Sequence, residues 1–70
     1  MDSWIYIVGQ SAEFLRFGRH HASRHRGVVV NVTPFTVTIR SEGREFKFRL
    51  RDGYESNYLG DRCGYRLLGY

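Results

Sequence analysis

Three histidines, His20, His21 and His25, and one cysteine, Cys63, are the side chains of this chain best suited to hold a metal or attack a substrate. Zinc needs four ligands that converge on a tetrahedron, as from i and i+4 of a helix or from paired Cys-x-x-Cys knuckles. Adjacent histidines on an extended chain point to opposite sides, so only two of the three could readily converge, even with help from Asp61 or Cys63. Nucleophilic catalysis needs a cysteine or serine beside a histidine, and no spacing here supplies that pair. Cys63, between Arg62 and Gly64, reads as a small half-buried thiol, although the neighbouring charge could activate it. Paired carboxylates and a Gly-x-x-x-x-Gly-Lys-Ser/Thr phosphate loop are both lacking. The expectation is a protein without catalysis, metal or cofactor.

Arginine offers a different chemistry. All the basic residues but Lys47 are arginine, whose planar fork suits bidentate contacts with phosphates or carboxylates and stacking on bases. The formal charge is +4, and it is unevenly placed. Between Phe14 and Arg51 stand nine basic residues against Glu42 and Glu45, while the rest of the chain is net acidic. Such concentration argues for an anionic partner, either nucleic acid (RNA or DNA) or an acidic protein surface. The candidate contacts are Arg19, Arg24, His25 and Arg26 on a loop, and Arg40, Lys47, Arg49 and Arg51 on a sheet face. The plainer alternative is a solvated face with no partner. Exposed aromatic platforms for unpaired bases look scarce, with only tyrosines such as Tyr54, Tyr58 and Tyr70 left to serve.

The elements that must position these residues centre on Gly27 to Arg51, where apolar and polar residues alternate. Period two predicts a three-stranded antiparallel meander. Val28, Val30 and Val32, then Phe35, Val37 and Ile39, then Phe46, Phe48 and Leu50 would share the inner face. Thr33-Pro34 and Ser41-Glu42-Gly43-Arg44 supply the turns, and the matched register sets Val30 against Val37, Ile39 against Phe46 and Val37 against Phe48. Upstream, Trp4 to Val8 has high β propensity and reads as a first strand or an arm. Ala12 to Phe17 reads as a strand with a bulge or bend near Leu15-Arg16, burying Phe14 and Phe17; a short helix starting at Ser11 is the alternative. Gly18 to Gly27 holds one apolar side chain, Ala22, and predicts a long exposed basic loop. Downstream, Tyr54, Tyr58 and Leu59 lie at near-helical spacing and predict one helical turn, followed by a last strand over Tyr65 to Tyr70.

Seventy residues make a single domain, 1–70, which buries only roughly 60% of its unfolded surface, so a homodimer through an edge strand would help to stabilise it. One cysteine excludes an internal disulfide and suits a reducing compartment. The longest apolar run, Trp4 to Val8, is far short of the ~20 residues of a membrane span, so a soluble, cytoplasmic protein with no membrane partner is expected.

Short, bent strands about one aromatic core, with a long loop after the first strand and a helical turn before the last, resemble the SH3-like barrels. The expected fold is therefore all-β, a small five-stranded antiparallel SH3-like barrel with one short helical turn near the C-terminus. The run Val8-Gly9-Gln10-Ser11-Ala12-Glu13-Phe14-Leu15-Arg16-Phe17-Gly18, followed after the basic loop by Gly27-Val28-Val29-Val30-Asn31-Val32, also resembles the KOW-type nucleic-acid-binding motif. That family runs from a strand through a glycine-containing loop to a glycine and a valine-rich strand. The loop of this chain lacks the internal glycine and is longer and more basic. The resemblance implies binding to RNA, DNA or a protein of the transcription or translation machinery. A very small arginine-rich domain also resembles, in style alone, accessory proteins of phages, which implies a protein-interaction module that modulates a larger host enzyme.

Overall fold

The computed structural model describes residues 6–68, which form five antiparallel strands and no helix. These are β1 (Ser11–Phe17), β2 (Ala22–Val32), β3 (Thr36–Ser41), β4 (Arg44–Arg49) and β5 (Gly64–Leu67). They make one sheet in the order β4-β3-β2-β1-β5, curled into a half-barrel. Its outer strands are tied across the gap by residues 54–56. Tyr54 bridges to Arg66 of β5 and Glu55 to Phe48 of β4. Backbone bonds join Arg49 N–H to Tyr54 O (2.8 Å), Ser56 N–H to Lys47 O (2.8 Å) and Glu55 N–H to Tyr65 O (3.0 Å). Strand addition at the β5 edge would have to displace such bonds, which weakens the case for an edge-to-edge homodimer there.

The β3–β4 hairpin has the expected register, with Val37 opposite Phe48 and Ile39 opposite Phe46. Its turn places Glu42 and Gly43 at φ 53° and 77°, the left-handed pair that a tight two-residue hairpin requires. The other half of the meander is inverted. Val29, not Val28, is fully buried, and Val28 faces outward opposite Arg40. Two features cause this. Gly27 lies so close beneath β3 that a Cβ there would stand 2.3 Å from the Arg40 carbonyl oxygen and 2.7 Å from Ile39, so the inward position of β2 at this point belongs to glycine. Between Val29 and Asn31 the register then shifts by a bulge that absorbs Val30, so Val32, not Val30, stands opposite Val37.

Three further expectations are corrected. The run Gly18 to Gly27 is not a long loop: Ala22 to Gly27 pairs with β1 from Phe17 back to Ala12, and only residues 18–21 turn, closed by the bond from Gly18 N–H to His21 O. Its side chains are polar because each face of this ribbon is largely exposed. No helical turn forms near Tyr58. Asp52 Oδ1 instead accepts from the Tyr54 N–H (3.0 Å) and holds that segment as a turn leading into the bridges. Phe35 is 79% exposed at the β2–β3 turn, outside the alternation of β3.

β1 is a strand without a bulge, so Phe14 and Phe17, three apart, point to opposite faces. Phe14 joins Val29, Val37, Ile39, Phe46, Phe48 and Leu67 in the core. Phe17 is half-buried on the other side, edge-on to Tyr54 and Tyr58. The expected strand over Trp4 to Val8 lies partly outside the described residues, as does Tyr70, and residues 6–8 belong to no strand.

Candidate functional site

With Phe14, Val29, Ile39 and Phe48 inward, alternation turns a second set of side chains outward. Arg24 and Arg26 on β2, Arg40 on β3, Lys47 and Arg49 on β4 and Arg66 on β5 all stand on this outer face. Neighbouring strands lie about 4.8 Å apart and alternate residues of one strand ~7 Å apart, so the cations are spread over the face at intervals of that order.

The acids that share this face are matched to particular cations. Glu13 of β1 pairs with Arg26 across the strands at 2.9 Å, and Glu45 of β4 pairs with Arg40 at 2.6 Å. Arg49 is held three ways: Nε and Nη2 reach Asp52 at 3.2 and 3.0 Å, and Nη1 donates to the Tyr58 carbonyl at 3.2 Å. Arg51, in the turn after β4, approaches the same Asp52 at 3.8 Å. Arg24 and Lys47 have no ion-pair partner among the described residues and are exposed. The exposed pairs contribute about 0–1 kcal/mol each, so they orient their arginines more than they stabilise the fold.

Burial of the Asp52 carboxyl opposes its ionisation. The Tyr54 backbone N–H, the Arg49 hydrogen bond and the charges of Arg49 and Arg51 outweigh it and hold the group below its ordinary value of 3.8. The Tyr58 phenol is pushed above its usual 10.0 by desolvation, with smaller contributions from Tyr54 and Asp61. The phenol donates to the Asp61 carbonyl oxygen at 2.6 Å.

Comparison with protein-family models, curated proteins and solved structures finds no match for this chain. The site must be read from its own residues.

Of the contacts expected from sequence, the fold brings Arg24, Arg26, Arg40, Lys47 and Arg49 onto one face and sets Arg51 at its border. Arg19 stands apart, exposed in the β1–β2 turn. His25 is on the opposite, inner face: its ring stacks on Phe14 at 5.5 Å and its Nε2 lies 3.0 Å from Ser23 Oγ. The inner rim also takes Arg44, whose guanidinium sits 4.7 Å over Phe46. Two residues were missed by sequence reasoning. Arg66 lies 4.7 Å over the Tyr54 ring, which stacks in turn on Tyr58 at 4.4 Å; its alternation with Tyr65 and Leu67 was the available signal. Phe35 was assigned to the core by parity with Val37 and Ile39, although its place directly after Pro34 marked a turn.

Cys63 is exposed, not half-buried, and no group of three or more His, Cys, Asp or Glu among the described residues could hold a metal ion. Among those residues no helix is long and apolar enough to cross a membrane.

Proposed function

We propose that this protein is a non-catalytic nucleic-acid-binding module, an SH3-like barrel that grips the phosphate backbone with its outer sheet face. One observation carries the reading. Glu13, Glu45 and Asp52, on or beside that face, are paired with Arg26, Arg40 and Arg49, whereas Arg24, Lys47 and Arg66 on the same face have no ion-pair partner among the described residues. Phosphates would meet a face whose internal charges are already balanced and whose surplus is positive. The five antiparallel strands curled around an aromatic core support the barrel reading. A cytoplasmic setting agrees with the single cysteine of the chain.

The test is fluorescence polarisation of labelled single- and double-stranded DNA and RNA at two salt concentrations. The reading expects binding at low salt that falls steeply as salt rises, because each phosphate contact releases condensed counterions. Absence of binding at low salt would falsify it and favour an acidic protein as the partner.

A further inference from the structure

Beside the cationic face lies a groove of about 610 Å³, within the roughly 300–1,000 Å³ usual for small-ligand clefts. Pro34, Phe35, Leu50 and Arg51 line it, and Arg49 belongs both to the groove and to the outer face. We infer that this groove receives an unpaired nucleobase, stacked on Phe35, while Arg51 and the outer face hold the phosphates on either side. The inference rests on the proposed nucleic-acid reading and narrows its ligand to single-stranded or locally unpaired strands.

The Phe35 ring is 79% exposed, a large apolar surface left in water by a domain with little core to spare. Among the described aromatic residues it is the ring left open. Tyr54 lies between Arg66 and Tyr58, Phe46 and Tyr65 lie beneath Arg44, Phe14 packs against His25, and Phe48 is fully buried. No ring or cation among those residues stacks on Phe35.

Its backbone is nonetheless fixed. Thr33 Oγ1 accepts from the Phe35 N–H at 3.2 Å and from the Thr36 N–H at 2.9 Å, and the Phe35 carbonyl accepts from the Leu50 N–H at 2.9 Å. The last bond ties the turn to the residue before Arg51, whose side chain is 77% exposed. A base stacking on a preplaced ring loses little to ordering the protein, and an adjacent arginine contributes to both stacking and phosphate contact. An apolar peptide side chain could fill the same volume, but Arg49 and Arg51, two cations sharing the single carboxylate of Asp52, line the groove and favour a polyanion.

The experiment compares a labelled thymidine 12-mer with an abasic 12-mer of the same backbone, against wild type, Phe35→Ala and Phe35→Trp. Phe35→Ala should weaken thymidine binding by about 5- to 150-fold, the effect of losing one base stack, and leave abasic binding and the salt slope unchanged. Phe35→Trp should restore thymidine affinity, and its fluorescence should be quenched by the thymidine strand and not by the abasic one. Equal loss on both strands, or no loss on either, overturns the stacking site while leaving the phosphate face intact. No binding of either strand by wild type overturns the stacking site, and the phosphate-face reading falls with it only if duplex and RNA probes also fail to bind at low salt.

Discussion

The inner and outer faces of the same sheet are built from alternate residues of the same strands, yet they do different work. Inward, Phe14, Ile39, Phe46, Phe48 and Leu67 are almost wholly removed from water, and every ring touches another ring or a cation. Outward, Arg24, Arg26, Arg40 and Lys47 are exposed, and the pairs that Arg26 and Arg40 make with Glu13 and Glu45 are worth little to stability. The apolar core lies on one side of each strand, and the proposed anion-binding capacity on the other. Substitution should therefore separate the two properties.

The sharpest break is Phe48→Ala. The ring is fully buried beside those of Phe14 and Phe46, so its loss should cost about 3–5 kcal/mol in urea denaturation, enough to unfold so small a domain. A near-wild-type cooperative transition would show that the wrong face has been placed inside. Next comes Gly27→Ala, which asks β2 to move away from the Arg40 carbonyl. A cost of about 1–3 kcal/mol is expected, the range for overpacking a close contact.

A smaller effect depends on pH. The Asp52 carboxyl titrates below its unfolded value, so its contribution is complete above about pH 4 and is lost as pH falls through the folded pKa. Asp52→Asn should be less stable than wild type at neutral pH, and the difference should close on acidification, as followed by thermal melts between pH 2 and 7. A difference that stays constant would mean that the loss comes from geometry and not from charge. The smallest change is Glu45→Gln. Breaking the exposed pair with Arg40 should shift stability by less than about 1 kcal/mol. The same change frees a cation, so it should tighten binding to a labelled oligonucleotide at low salt.

The two halves of the meander also show how far a sequence carries the fold. In β3 and β4 each apolar residue is followed by a polar one, from Val37-Thr38-Ile39-Arg40 to Phe46-Lys47-Phe48-Arg49, and Gly43 fixes the turn, so a single register satisfies the pattern. In β2, Val28, Val29, Val30 and Val32 are apolar on both parities, and alternation cannot decide which of them turns inward. The choice falls to Gly27, which only the close approach of β3 explains, and to a bulge. The site follows the same division. Arg40, Lys47 and Arg49 were legible as an outer row because the hairpin was. Arg24 and Arg26 were legible as cations but not as strand residues, since the polar composition of an exposed ribbon is that of a loop. His25 was grouped with them by proximity in sequence, and one residue's difference in parity sets it on the other face.

The central claim is that the surplus cations of the outer face hold phosphates, and the most direct measurement is the salt dependence of single-strand binding for wild type and for Arg24→Ala/Lys47→Ala. Both side chains are exposed and unpaired among the described residues, so the double variant should melt like wild type. Its plot of log K against log salt should be shallower by about 1.4, the loss of two phosphate contacts at roughly 0.7 each, with weaker binding at low salt. An unchanged slope and affinity in the folded double variant would contradict the account and remove the outer face from the interface.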